Sequence, residues 1–389
     1  MPGRGQPERK FNSSYHPDRH PEAGIDGRGC THPRGDSIMI ALKSRGFAAT
    51  LVLLAAAAGL APVTAEAQRV TIRQQDFGNH VNTMSNLLVQ TEGLADKHGV
   101  DLRVLPPIFN AAGIANVVLQ GQAEIGFGGA TAVVSLRQQN RPVKIIAIIA
   151  QTFEAEIGLT NATLATLAKK GVTPESPYKA RVDALKGLKF AAPAAGSSTD
   201  QVIRYALKNA GLDPNRDVII QPLPDLASII AATRQGTVDG LMGTHGSGPL
   251  QMETDKSGRI LIAFQKEDKS LEVAPQHVLF ATEDYMKNNG DAIRRYLQAH
   301  HDAKEIVRKG LTQAQRDKIK ERFFKDMAPA TFNSLVDGLI YINKGPITPT
   351  QAQLDVLLAI HNVTAATPYK VSFNELFDTR FAEAVEKKK

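Results

Sequence analysis

From Val70 onward, short apolar runs alternate with stretches of helical periodicity. The runs Val70 to Ile72, Val100 to Leu105, Ile125 to Phe127 and Val143 to Ala150 read as strands, with helical patterns near Val81 to Lys97 and Ala111 to Gln120 between them. A second set follows, with strands expected at Ile157 to Thr160, Leu188 to Ala191, Val218 to Ile220, Val238 to Met242 and Ile260 to Ala263, and helices at Thr199 to Ala210 and Leu226 to Gln235. Residues 168–184 are polar and rich in turn formers, and read as a loop. Past Glu272 the pattern predicts one strand, Gln276 to Ala281, and then helices to the C-terminus. Alternation of this kind predicts α/β layering around largely parallel sheets.

The two sets share a near-repeat. Ile114-Ala-Asn-Val-Val-Leu-Gln-Gly121-Gln-Ala-Glu124-Ile-Gly126 ends one helix and starts one strand, and Ile229-Ile-Ala-Ala-Thr-Arg-Gln-Gly236-Thr-Val-Asp239-Gly240 does the same later. Gly121 and Gly236 fall where a left-handed C-cap lets the chain leave a helix and turn directly into a strand. Both strands then run into small residues, Gly126 to Thr131 in the first set and Gly243 to Gly248 in the second. Two similar lobes are implied, each with an open strand end. Ligands of open α/β sheets bind outside the carboxyl ends of strands, where backbone N–H groups and helix N-termini converge, so two facing ends would wall one cleft.

The N-terminus changes this picture. Residues 1–38 lack periodicity and are crowded with Gly, Pro, Arg and His; they read as an extension upstream of a natural start at Met39. Residues 39–67 then carry a basic patch (Lys43, Arg45), an apolar run from Phe47 to Val63 and the small-residue site Ala65-Glu66-Ala67, the order of a cleaved secretory signal. An uncleaved anchor is the alternative, since the run is about as long as the shortest spanning helices. No Arg-Arg pair precedes the run and no Cys follows it, so neither twin-arginine export nor a lipid anchor is indicated. The single cysteine, Cys30, lies in the leader, which leaves the exported chain without thiol, disulfide or cysteine metal ligand. The 389 residues, 42% hydrophobic and 22% charged, suit about two globular domains. The formal charge of +7 falls to +5 beyond residue 67, with 38 Lys+Arg interleaved among 33 Asp+Glu, and this is not a nucleic-acid footprint.

An ordered series of short motifs carries a resemblance. Gly99-Val-Asp-Leu-Arg-Val104, Gly121-Gln-Ala-Glu-Ile-Gly126, Asn140-Arg-Pro-Val-Lys-Ile-Ile146, Leu185-Lys-Gly187-Leu-Lys-Phe190 with Gly196-Ser-Ser-Thr199, Gly211-Leu-Asp-Pro and Gly236-Thr-Val-Asp239 occur in family order over about residues 70–310. The sequence resembles the periplasmic binding proteins of the nitrate, taurine and alkanesulfonate (NitT/TauT) type of ABC importer, which share their fold with thiamine-pyrimidine synthases. The resemblance implies an α/β, type II periplasmic-binding-protein fold: two α/β lobes joined by two crossing strands, with the C-terminal helices packed on the first lobe. Lobe one would comprise residues 68–152 and 275–389 and lobe two residues 153–274, with crossings near Ala150 to Ile157 and Ala263 to Gln276.

Four loops are expected to line the cleft. The first follows the opening strand and offers Gln75, Asp76 and Asn79, in a loop whose counterpart often touches ligand in the family; Asn79 serves equally as a helix N-cap. Asn110, beside Phe109, follows the second strand. Gly129 and Thr131 offer bare backbone at a helix start, where the dipole contributes roughly half a positive charge and suits an anion. In the second lobe Ser197, Ser198 and Thr199 open a helix; capping explains one of these hydroxyls, and the run resembles the anion-gripping turn of the family. Thr244 and His245 follow the strand at Val238, and His245 is placed to donate to a carboxylate or sulfonate, although a lone His is more often structural. These loops contain no Arg apart from Arg73 inside a strand, which favours a monoanion or polar neutral ligand over a phosphate needing bidentate bonds.

Enzymatic readings lose their residues. The pyrimidine synthases and the porphobilinogen deaminase of this fold depend on cysteines that the exported chain lacks. His245-Gly246-Ser247-Gly248 has no Gly two places before Ser, as a nucleophile elbow requires. His300 and His301 are adjacent, so on a helix they point about 100° apart and cannot chelate one metal. The expectation is a monomeric periplasmic solute-binding protein without cofactor or metal. Its partners would be a small molecule, such as a sulfonate or carboxylate, and transiently an ABC permease. A TRAP-type or sensor-coupled receptor, or a pyrimidine-synthase-like enzyme, are the alternatives.

Overall fold

The computed structural model describes residues 69–387 apart from Asn79, Phe109, Asn110 and Ser247. The proposed extension and signal segment therefore lie outside the described residues. Among the described residues ten strands build two five-stranded sheets. The first contains β1 (Val70–Gln75), β2 (Val100–Val104), β3 (Ile125–Gly129), β4 (Val143–Ala150) and β10 (His277–Thr282), in the order β2-β1-β3-β10-β4. The second contains β5 (Glu156–Thr160), β6 (Lys189–Ala192), β7 (Ile219–Pro222), β8 (Gly240–Gly243) and β9 (Gly258–Ala263), in the order β7-β6-β8-β5-β9. Each sheet has three parallel strands on one side and an antiparallel fourth strand, β10 or β5, that enters from the other lobe. The expected two-lobed α/β fold is present.

The helices used below are α1 (Met84–Thr91), α2 (Ala111–Leu119), α3 (Ala130–Gln138), α4 (Tyr178–Asp183), α5 (Ser198–Asn209), α6 (Leu226–Arg234), α7 (Gly290–Lys309), α8 (Pro329–Leu339) and α9 (Gln351–Asn362). They cover both faces of each sheet, so its strands bury residues on both sides. On β10, Leu279 and Ala281 join the core under α1 and α7, while Val278 and Phe280 join the core on the opposite face. β4 is an edge strand with seven buried residues, and the C-terminal region covers it: Ile148 N donates to Ile347 O at 2.8 Å and Asp378 N to Ile145 O at 2.9 Å.

Two expectations need correction. The pattern from Val81 to Lys97 is not one helix, because Gly93 at φ +62° breaks it after α1 and a short turn, Leu94–Lys97, follows. Residues 168–184 are not loop throughout. Pro177 starts α4, which buries Val182 and is supported by the Lys179–Asp183 pair one turn apart at 2.5 Å.

Two connections join the lobes. Residues 151–155 have no regular secondary structure, and residues 264–276 contain a 3-10 turn (Phe264–Lys266) and one helical turn (Ser270–Val273). They are tied to each other, Phe153 N donating to Leu271 O at 3.0 Å and Gln276 N to Ala150 O at 2.9 Å. The C-terminal helices belong to the first lobe by sequence, yet α9 packs on both. Leu354 and Leu357 enter the first lobe's core and Val356 and Ile360 the second's. Among the described residues no helix is long and apolar enough to cross a membrane.

Candidate ligand-binding site

Each lobe presents a helix N-terminus to the other. β3 runs directly into α3, with Gly129 as N-cap, and the turn after β6 leads into α5, with Ser197 as N-cap. Thr131 Oγ1 and Ser198 Oγ meet at 2.5 Å across the gap. A Cβ on Gly129 would stand 2.8 Å from Ser198 Oγ, so the approach depends on bare backbone there. Three expected positions, Gly129, Thr131 and Ser198, therefore converge on one point between the lobes. Both helices begin there, and a helix start favours negative charge. Ser197 has a local task, its hydroxyl accepting from Asp200 N at 3.2 Å, while Thr199 lies half-buried in the first turn. His361 on α9 braces the site from behind through its ring Nε2 and Thr131 O, 2.8 Å apart. Burial holds its pKa down at about 4, so the ring is a neutral donor.

In the first loop the side chains of Gln75 and Asp76 are held by other residues of the chain. Gln75 is buried and donates through Nε2 to Pro106 O at 2.8 Å, which fixes the neighbouring loop. Asp76 is buried, accepting from Gly78 N at 3.0 Å and Gln74 Nε2 at 3.3 Å, and burial raises its pKa against those hydrogen bonds. Gln74 is held in turn by the Tyr296 hydroxyl on α7. Asn79 and Asn110 lie outside the described residues. Beyond Asp76, Phe77 stacks on His277 with centroids 4.7 Å apart and lies 4.9 Å from His80. Burial holds the His277 pKa down at about 3, so that ring is uncharged.

In the second lobe Thr244 and His245 follow β8, as expected, and both are half-buried. His245 already has an anion: its Nδ1 lies 3.0 Å from Glu156 Oε2. Glu156 also accepts from Gln265 Nε2 at 2.9 Å and is buried at the start of β5. Two residues earlier, on the first crossing, Glu154 is fully buried. Burial first, then the charge of Glu156, pushes its carboxyl up to about 8. Glu154, Glu156, Gln276, His277 and Phe77 were not singled out from sequence. The available signal was a pair of carboxylates two residues apart, Glu154 and Glu156, shortly after the apolar run Val143 to Ala150 and two polar residues.

Two other hollows hold paired charges. One of about 300 Å³ reaches the Glu156–His245 pair from the β9 side, and its two arginines are taken, Arg181 by Glu267 at 2.6 Å and Arg259 by Glu175 at 3.0 Å. Another of about 410 Å³ beside Lys144 is lined by the Arg380–Asp378 pair and by Glu283, which Arg137 holds at 3.0 Å. Among the described residues no group of three or more His, Cys, Asp or Glu side chains is placed to hold a metal ion.

Known proteins share this architecture. The chain is similar in structure to a putative sulfonate ABC transporter component, the periplasmic sulfonate-binding protein SsuA of Methylobacillus flagellatus, with a TM-score of 0.63 and 16% identity over 82% of this chain and 95% of that one. It is similar to the alkanesulfonate-binding protein SsuA of Xanthomonas axonopodis bound to MOPS (TM-score 0.56, 14% identity, 78% and 97%). It is also similar to the periplasmic nitrate-binding protein NrtA of Synechocystis (TM-score 0.56, 16% identity, 82% and 86%). At these identities the likeness concerns the fold. No curated protein matches the sequence. The model of the NMT1-like family matches residues 77–322. That match spans more than half of the chain and takes in nine of the ten strands and the facing helix starts: the chain belongs to the NMT1-like family.

Proposed function

We propose that the chain is a periplasmic solute-binding protein that captures a small organic monoanion, such as a sulfonate or carboxylate, between its lobes and delivers it to an ABC importer. The observation that carries this reading is the meeting of two helix N-termini from opposite lobes at Thr131 and Ser198, 2.5 Å apart. An anion placed there would accept N–H groups from both lobes and so favour the closed form over the open one. The sulfonate- and nitrate-binding proteins of the same fold support an anionic cargo. In this reading residues 68–152 with 275–389, and residues 153–274, move as two bodies about the crossings. The segment 39–67 is a cleaved export signal, and the protein works as a monomer that catalyses no reaction.

Melting temperature of the full chain, unfolded and refolded to strip carried-over ligand, tests this against a panel of sulfonates, nitrate and carboxylates. A true ligand at 100 times its dissociation constant adds about 2.7 kcal/mol, a shift of several degrees. Thr131→Val and Ser198→Ala should each abolish most of the shift while leaving the unliganded melting temperature nearly unchanged. If every compound leaves the wild-type melting temperature where it was, the anion-receptor reading fails.

A further inference from the structure

Beyond the pairs already described, the hollow beside Lys144 holds cations that no carboxylate takes up. Lys144, Lys287, Arg294 and Arg380 line it, against Glu283 and Asp378. Each carboxylate is already held by an arginine. Arg380 grips Asp378 as a fork, Nε to Oδ1 at 2.9 Å and Nη2 to Oδ2 at 2.6 Å, and Arg137 donates to Glu283 Oε1 at 3.0 Å. Lys144 Nζ stands 3.9 Å from that same Glu283 oxygen, beyond hydrogen-bond reach. Arg294 lies 3.7 Å from Asp291 Oδ1, and the other oxygen of Asp291 is taken by Arg295 Nε at 2.7 Å. Among the described residues none forms an ion pair or hydrogen bond with the Lys287 side chain. Three cations therefore line one hollow without a hydrogen-bonded carboxylate.

The fold brings them there from separate elements. Lys144 is on β4, which begins beside the end of β10, Val143 pairing with Thr282. The short helix Glu283–Asn288 follows β10 at once and carries Lys287, while its Met286 enters the first lobe's core. α7 opens at Gly290 with Arg294 one turn in, and the C-terminal helix Arg380–Glu386 adds Phe381 to the lining. Gly290 leaves the wall bare: a Cβ there would stand 3.1 Å from the Phe381 ring and 3.4 Å from Arg294 Nη1. Met286 and Phe381 are buried, whereas Lys287, Arg294 and Arg380 are exposed, so the floor is apolar and the rim cationic. The ends of β4 and β10 that meet the crossings are Ala150 and His277. The hollow thus sits at the opposite end of the sheet from the cleft, wholly within the first lobe.

We propose that this hollow is a second binding site, for the phosphate group of a small phosphomonoester. A phosphomonoester carries about −1.5 to −2 charges at pH 7 and three strong acceptor oxygens, the complement of three cations without a hydrogen-bonded carboxylate. Arg294 offers the planar fork that phosphate takes in two bonds, and the two lysines act as point charges. The organic part of the ligand lies over Phe381 and Met286. A volume of about 410 Å³ suits a small ligand of this kind. The cleft loops lack arginine, so the two sites select by charge, a monoanion between the lobes and a dianion here. Since the hollow belongs to one lobe, its ligand is held whether the lobes are open or closed, and it stands or falls apart from the receptor reading. The same chemical group occurs free in solution and on the head group of phosphatidic acid.

Calorimetric titration of the full chain with phenyl phosphate, inorganic phosphate and phenol tests the site. Co-sedimentation with phosphatidylcholine vesicles, with and without phosphatidic acid, tests the lipid source. Phenyl phosphate should saturate one site, more tightly than inorganic phosphate because its ring covers Phe381, and phenol should not bind. Lys287→Gln and Arg294→Gln should each weaken it by about tenfold or more, and together abolish it. Neither should lower the unliganded melting temperature, because each removes a cation that no carboxylate holds by a hydrogen bond. Ser198→Ala, in the cleft, should leave phenyl phosphate binding as it is. Binding confined to vesicles with phosphatidic acid, and lost in the double variant, would uphold the phosphate site and make a lipid its source. Phenyl phosphate binding that the double variant retains or that Ser198→Ala removes, inorganic phosphate binding without phenyl phosphate, or no saturable binding by any phosphate probe overturns the assignment.

Discussion

Gly126 lies on β3 and Gly240 on β8, the middle strands of the two sheets, and neither has room for a side chain. A Cβ on Gly240 would lie 2.2 Å from Gly158 O in the adjoining strand, and one on Gly126 would lie 2.2 Å from Phe280 Cζ. The helix-end glycines differ: Gly121 and Gly236 have φ of +69° and +68° and nothing within 4 Å, so they are needed for backbone conformation alone. Gly240→Ala, which must push backbone apart, should cost about 3 kcal/mol, and Gly236→Ala about 1 kcal/mol, in equilibrium denaturant unfolding. The acidic residues of the near-repeat have an equally definite task. Glu124 Oε2 accepts from Arg73 N at 2.6 Å, and Asp239 Oδ2 from Lys189 N at 2.8 Å. Each pins the start of a middle strand to the parallel strand beside it. Asp239→Ala should cost about 2 kcal/mol by orphaning the Lys189 N–H, with little effect on ligand affinity. The recurrence of Gly and acid was legible in the sequence. The close approach that forbids a Cβ was not, because it depends on which strands become neighbours. The same holds for the site: a hydroxyl at a helix start, as at Ser198, can be read from local pattern, whereas Glu154 acquires its meaning only from the residues the fold brings around it.

At the scale of elements, α9 departs most from what periodicity showed. Its Leu354 and Leu357 face one lobe and its Val356 and Ile360 the other, so two apolar faces flank one helix. A sequence pattern shows that such a helix is buried on more than one side; it does not say that the two partners are different lobes. The first lobe's long helix α7 holds the approach to α9: Lys304 Nζ donates to Gly345 O at 3.0 Å and Arg308 Nε to Lys344 O at 2.7 Å. α9 therefore acts as a third tie between the lobes, beyond the two covalent crossings, packing against both α3 and α5. Ile360→Ala removes a fully buried side chain from the second lobe's core and should cost about 2–4 kcal/mol. Hydrogen exchange should show the loss in the amides of α5, more than 150 residues away in sequence, if α9 supports that helix. Loss of protection confined to α9 itself would show that it rides on the first lobe alone.

For the molecule as a whole, the strand order of the two sheets matches, β2-β1-β3-β10-β4 against β7-β6-β8-β5-β9, and the near-repeat had announced that equivalence. What neither repeat nor composition announced is how many titratable groups the packed lobes bury in their neutral form, and these make the stability depend on pH in opposite directions. His300 on α7 is fully buried, its ring edge-on to Tyr296 at 4.8 Å and both nitrogens without partners, and burial holds its pKa near 3. Unfolded, it titrates near 6.5. Between about pH 6.5 and 3 the unfolded chain therefore takes up a proton that the folded chain refuses, and stability falls as the pH falls. Glu154 works the other way. With a folded pKa of about 8 and an ordinary value of 4.5, it keeps a proton in the folded state that the unfolded state has lost, so stability falls as the pH rises from about 4.5 to 8. His300→Leu replaces two open polar atoms by a similar apolar volume and should leave stability at pH 7 equal or higher. In denaturant titrations its loss of stability on acidification should be shallower than that of the wild type by about 1.4 kcal/mol per pH unit between pH 6 and 4. Glu154→Gln should shift the slope with the opposite sign between pH 5 and 7.5, gaining on the wild type as the pH rises. Parallel pH profiles for wild type and both variants would mean that the two groups are hydrated in solution, and that the lobes close less tightly over the crossings than the Thr131–Ser198 contact requires.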